Sequence, residues 1–214
     1  MQELTASLAA PQNLVSYHLG LLRRRGLVAE RRSSADARDV YYRLEITRLR
    51  AGLGELGAGL HPALAPAGTG EAASGAVLFL CSANSARSQM AEALLRDRTG
   101  GRVTVQSAGT HPAVVHPLAL ETLQGRGVST TGLRSKHWSD VGDRFDRIVS
   151  LCDIAREELP AKLAGPALIH WSLPDPAAVS GPLKGRRRAF EATADEIAAR
   201  IEDLLASMAS AQAA

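Results

Sequence analysis

The chain has 214 residues, room for one large domain or two small ones, and is 45% hydrophobic but only 4% aromatic. The formal charge is +3, and no apolar stretch has the length of a bilayer-spanning helix. Two cysteines cannot make a disulfide framework, and the N-terminus lacks a basic region followed by an apolar core, so a cytoplasmic protein with reactive thiols and no membrane partner is expected.

The charge is uneven. Residues 1–60 hold nine arginines and no lysine against six acids, while the remainder is balanced, so the N-terminal piece is the one expected to meet nucleic acid. A short helix ending near Ala10 is followed by a second that starts at Pro11, with proline well placed in a first turn. Val15, Leu19 and Leu22 share one face and are expected to look inward. Gln12, Asn13, Ser16 and Tyr17 fall on the other side, where a recognition helix meets base edges, and Arg23, Arg24 and Arg25 follow as phosphate contacts. Gly26 stops the helix; "LVAERR" and "VYYRL" then predict two strands around the polar tip "SSADARD", with a further helix over about 46–60. The pattern predicts a small, partial winged-helix (α+β) domain over residues 1–60.

"VSYHLGLLRRRGLV" and the hairpin ending "VYYRL" resemble the ArsR-type winged-helix repressors, over about half of such a domain. The resemblance implies DNA as a partner, bound weakly by this length of chain, and leaves a homodimer open. The cysteine-rich metal-sensing motif of those repressors has no counterpart, since no cysteine lies in residues 1–80, and no metal site is expected.

"HPALAPAGTGEAASG", residues 61–75, is rich in Ala, Gly and Pro without an apolar period and reads as a flexible linker. From Ala76 strands and helices alternate. Strands are expected at 77–80, "VTVQSA", "RIVSLC" and "ALIHW", with helices near 86–99, 117–127, 153–161 and 184–206. That order predicts an α/β fold, a parallel four-stranded sheet flanked by helices, over residues 76–206, with 207–214 a frayed tail.

"VLFLCSANSARSQMAEALLR" carries the chemistry. An apolar run ends at Cys81, a small polar loop follows, and Met90, Ala91, Leu94 and Leu95 open a helical pattern. A strand, tight loop and helix N-terminus gather backbone N–H groups into an anion-binding concavity, here Ser82, Ala83, Asn84, Ser85, Ala86, Arg87 and Ser88. A thiol at that place and near a guanidinium is expected to be largely thiolate. Arg87 can fork two N–H groups onto a tetrahedral oxyanion, Ser88 can donate to the thiolate, and Asn84 tolerates left-handed backbone. Asp175, in "LPDPAA" on a loop after the last strand, is a candidate general acid held by flanking prolines. Cys152 ends the strand "RIVSLC" and should share a sheet edge with Cys81.

"FLCSANSARSQMAEALLR", "SAGTHP", "GLRSKHW", "FDRIVSLCD" and "HWSLPDPAA" together resemble the low-molecular-weight tyrosine phosphatase fold, specifically its arsenate reductase branch. The resemblance implies Cys81 as nucleophile, Arg87 and the loop amides as the cradle for an arsenate or phosphate oxyanion, and Asp175 as proton donor. Phosphate chemistry needs one cysteine, whereas reducing As(V) to As(III) needs two electrons, and attack by Cys152 on the Cys81 adduct supplies them. The thioredoxin-coupled reductases carry a third cysteine seven residues after the second; Leu159 stands there. No bound cofactor is therefore expected, but an external thiol reductant of the glutathione or mycothiol type with a glutaredoxin-like partner. Ala83 stands where glycine is usual, with a tighter loop as the expected result. Arg134, Lys136 and His137 are expected in a solvated loop and His170 as a satisfied structural residue. Two alternatives remain: a phosphatase acting on phosphomonoesters, and a DNA-binding regulator whose second domain senses an oxyanion or redox state without turnover.

Overall fold

A computed structural model of the chain describes residues 2–33, 39–60, 73–160, 163 and 168–212. The chain divides into two units, Met1–Gly68 and Thr69–Ala214. The tip of the expected hairpin, 34–38, and most of the expected linker, 61–72, lie outside the described residues. No helix among the described residues is long and apolar enough to cross a membrane.

The first unit contains α1 (Gln2–Leu8), α2 (Gln12–Arg24), the antiparallel pair β1 (Val28–Arg32) and β2 (Val40–Leu44), and α3 (Ile46–Leu60). Arg25 caps α2 and Gly26 follows with φ of 66°, the left-handed turn that a glycine allows at a helix end. Val15 and Val28 are its buried apolar side chains among the described residues, while Leu8, Leu14, Leu44, Leu53 and Leu56 are exposed. Leu22, expected to face inward beside Val15, is instead 37% exposed.

The second unit holds β3 (Gly75–Cys81), α4 (Arg87–Thr99), β4 (Val103–Gly109), α5 (Pro117–Gly125), β5 (Arg147–Ser150), α6 (Asp153–Glu157), β6 (Leu168–His170) and α7 (Leu183–Gln212). All four strands are parallel, in the order β4-β3-β5-β6. The chain leaves β3 toward β4 on one side and returns to β5 on the other, so a crevice opens beyond the C-terminal ends of β3 and β5.

Alternation along β3 sorts the core. Val77 and Phe79 pack with Met90, Leu95, Leu123, Phe190 and Ile197 from the helices. Leu78 and Leu80 point the other way, toward Ile148 and Leu163, with Trp138, Phe145 and Leu159 closing that face. Each large side chain buried this way contributes about 1.5–3 kcal/mol. Two expectations change. The helix after Cys152 stops at Glu157 rather than running to 161, since Pro160 follows and excludes the helical conformation just before it. The last helix does not fray at 207: it continues through Gln212, and Met208 is buried among the core side chains at the helical spacing of Ile201, Leu204 and Leu205.

Candidate active site

Cys81 is the last residue of the central strand β3, and the loop from Ser82 to Ala86 leads into the first turn of α4. Four successive loop carbonyls are tied down. Ser82 C=O accepts from the N–H of His111 (2.8 Å), Ala83 C=O from Ala113 (2.9 Å) and Ser85 C=O from His116 (2.9 Å). Asn84 C=O accepts from Gln89 Nε2 at 3.0 Å. In a trans peptide the C=O and the following N–H point opposite ways, so these bonds aim the amides of Ala83, Asn84, Ser85 and Ala86 away from the supporting segment. With the N-terminus of α4 they form an anion cradle. Ser85 is held further by its hydroxyl, which donates to Val114 C=O at 2.7 Å.

Asn84 takes φ of 44°, the left-handed backbone expected of it. Ala83 is not among the described non-glycine residues with positive φ, so it fits the loop with ordinary backbone. Asn84 is fully buried. Its Oδ1 accepts from Lys136 N–H (2.8 Å), which turns Nδ2 to donate to Ser88 Oγ (2.8 Å) and Ser107 Oγ (2.9 Å). Ser88 Oγ lies 3.0 Å from Cys81 Sγ. Since that oxygen already accepts from Asn84, its own proton is free to point at the sulfur.

Arg87 is 6% exposed. Its Nη1 donates to Leu173 C=O at 3.0 Å and its Nη2 lies 3.1 Å from Asp175 Oδ2. Asp175 sits on the loop after β6, its other oxygen accepting from Ala177 N–H (3.1 Å) to cap a short turn over Pro176–Ala178. Cys152 follows the end of β5 and is as buried as Cys81, at 1% and 2% exposure. Its Sγ accepts from the N–H of Ser82, the residue after Cys81, at 3.2 Å. Burial pushes the Cys152 thiol above the ordinary cysteine range, Arg87 pulls it down, and Cys81 adds to the upward push. Cys81, Ser88, Arg87, Asp175 and Cys152 therefore meet at one end of the sheet.

Ser107, Gly109, Gln89 and His116, none of them among the residues singled out by sequence, also support the loop. Gly109 had a legible signal in "SAGTHP": a Cβ there would lie 2.5 Å from Ser82 O and 2.8 Å from Asn84 N, so only glycine permits this approach. Ser107 and His116 contact the loop across long sequence separations, which no local pattern carries, while Gln89 reaches Asn84 C=O from five residues on, in the first turn of α4. Lys136 corrects the expectation of a solvated loop. Its side chain is only 15% exposed and its ammonium sits 3.5 Å from Glu92 Oε2 on α4. His170 is the satisfied residue expected, with Nδ1 2.8 Å from Ser150 Oγ and Nε2 3.2 Å from Asp153 Oδ1, and burial lowers its pKa despite the carboxylate. In the first unit Gln12, Asn13, Ser16, Tyr17, Arg23, Arg24 and Arg25 are all exposed, and Arg23 also pairs with Glu30 of β1. No group of three or more potential metal ligands occurs among the described residues.

Comparison with known proteins agrees with this geometry. Residues 76–214 match the sequence model of the low molecular weight phosphotyrosine protein phosphatase family. An arsenate reductase of Halalkalibacterium halodurans is 33% identical over 131 residues, 59% of this chain and 91% of that protein. A glutaredoxin arsenate reductase of Synechocystis is 29% identical over 133 residues, 62% of this chain and 97% of that protein. A solved arsenate reductase in its phosphate-binding state superposes with a TM-score of 0.55 at 28% identity, covering 62% of this chain and 98% of that one. Over its second unit, the chain belongs to the low molecular weight phosphotyrosine protein phosphatase family.

Proposed function

We propose that this protein reduces arsenate to arsenite with Cys81 as nucleophile, Cys152 as second redox thiol and an external thiol as electron source. One observation carries the reading: Cys152 Sγ accepts a hydrogen bond at 3.2 Å from Ser82, the residue that follows Cys81. In the reaction, the Cys81 thiolate attacks arsenic in a tetrahedral anion held by Arg87 and the loop amides. An S–As bond forms and an oxygen leaves as water, with the proton supplied by Asp175. The Cys152 thiolate then attacks Cys81 Sγ. The S–S bond forms, the S–As bond breaks, its electron pair stays on arsenic, and arsenite departs. Two reducing equivalents from an external thiol reopen the disulfide. The arsenate reductases among the relatives support the substrate, and the glutaredoxin named for the Synechocystis protein supports a glutathione-type donor.

A phosphomonoester phosphatase would use Cys81, Arg87 and Asp175 in the same way and would need no second thiol. Purified protein supplied with arsenate and glutathione plus glutaredoxin should release arsenite, measured by chromatography with arsenic detection. Cys81→Ser abolishes release, and Cys152→Ser lowers it at least tenfold while phosphate binding persists. Full reductase activity in Cys152→Ser overturns the two-thiol mechanism.

We further infer that residues 1–60 bind DNA. The order α1-α2-β1-β2-α3 and exposed Gln12, Asn13, Ser16 and Tyr17 on α2 support it, as does the arginine excess. In fluorescence anisotropy against the protein's own promoter, Tyr17→Ala should lose sequence preference, while Arg24→Ala weakens all sequences and flattens the salt slope. No binding at low salt excludes this role.

A further inference from the structure

Beneath the anion loop lies a charged pair that the reaction above does not use. Glu92 stands one turn beyond Ser88 on α4 with its side chain 8% exposed; Lys136 Nζ is 3.5 Å from its Oε2, and Arg96 Nη1 is 3.8 Å from its Oε1. Lysine and glutamate are seldom this buried, and burial of a pair costs enough desolvation that stability alone is a weak reason to keep it. The Lys136 backbone is itself bonded to the loop and to β4. Its N–H donates to Asn84 Oδ1 (2.8 Å), and its C=O accepts from Gly109 N–H (3.0 Å). Two residues earlier, Arg134 C=O accepts from Gln89 Nε2 at 2.9 Å.

We propose that Lys136 and Glu92 are positioning residues that set the orientation of the Asn84 amide and, through Ser88, the hydrogen bond to Cys81. The amide has one oxygen and one nitrogen end. The Lys136 N–H claims the oxygen, so the nitrogen faces Ser88 and Ser107. Ser88 then receives a hydrogen bond from Asn84 and directs its proton to Cys81 Sγ. If the Lys136 segment moves away, nothing distinguishes the two ends. A turned amide offers Ser88 an acceptor, and Ser88 gives its proton to Asn84 rather than to sulfur. The thiolate loses a donor and the thiol becomes less reactive.

The proposal rests on the reading of Cys81 as nucleophile, yet its test needs no arsenate turnover. In the full chain carrying Cys152→Ser, Cys81 is the sole thiol, so the rate of iodoacetamide alkylation at pH 7 reports on it alone. Lys136→Met is expected to slow alkylation roughly 3–10-fold, a part of what one hydrogen bond to a charged group is worth. Lys136→Arg should restore it to within about twofold, and Lys136→Met should add nothing to Ser88→Ala, since both act on the same hydrogen bond. Should Lys136→Met fail to fold, Glu92→Gln removes the pair at constant volume and carries the same measurement. An unchanged rate in the folded variant, no rescue by arginine, or full additivity with Ser88→Ala overturns the proposal. Absence of arsenite production by the parent protein would instead count against the reductase reading and leave this result standing.

Discussion

Arg87 is shared between two jobs. Its guanidinium is held by Leu173 C=O and by the Asp175 carboxylate at 3.1 Å, so an oxyanion that takes the fork competes with that carboxylate. Asp175 is 42% exposed at its side chain, which keeps the pair well below the worth of a buried one. Asp175→Asn should bind phosphate about 2–5-fold more tightly by titration calorimetry, because a competing negative charge is gone. The same variant should lose roughly 10²–10⁴-fold in turnover for want of a general acid. Weaker phosphate binding would mean that Asp175 orders the site rather than competing for it. Leu159 decides another residue-scale question. It is half-buried against the Leu78 and Leu80 side of the sheet, an apolar packing residue where the thioredoxin-coupled resemblance would require a thiol. Steady-state assays should therefore run faster with glutathione and glutaredoxin than with thioredoxin and its reductase; the reverse order would show that thioredoxin reaches the Cys81–Cys152 disulfide directly.

At the scale of elements, the anion loop is shaped less by its own residues than by the segment after β4. Three of its carbonyls are held by N–H groups of His111, Ala113 and His116, and the close approach depends on Gly109 having no side chain. Gly109→Ala places a methyl 2.5 Å from a carbonyl oxygen of the loop, which must shift. Overpacking of this kind costs about 1–3 kcal/mol. The expected result is a melting temperature lowered by several degrees and oxyanion affinity lowered at least fivefold. A variant with lowered stability but unchanged phosphate binding would show that the loop keeps its shape without this support.

The second unit as a whole carries partly buried imidazoles that tie its stability to pH. His170 and His116 both have pKa values lowered by burial from 6.5. The unfolded chain binds protons on these groups more readily, so their contribution is fully present above about pH 6.5 and is lost as pH falls through the lower folded values. Thermal melts should show stability declining from about pH 6.5 downward, and His170→Gln should flatten that decline. A slope unchanged by the substitution would assign the acid sensitivity to other groups. The first unit has a different balance. With Val15 and Val28 as its buried apolar side chains among the described residues and several leucines exposed, its own core is small.

Legibility followed sequence distance. The strand–loop–helix from Val77 to Arg96, the left-handed Asn84 and the presence of four parallel strands are readable from the chain alone, because each is set by local sterics and by alternation or helical spacing. The extent of α7 is not legible in the sequence, because its alanine-rich end is featureless until Met208 meets the core. The Arg87–Asp175 pair, the Ser82 bond to Cys152 and the burial of Lys136 against Glu92 join residues 88, 70 and 44 positions apart in the chain. Local spacing does not encode such contacts. They exist because parallel crossovers bring strand ends together at one edge, and only the folded chain decides which side chains meet there.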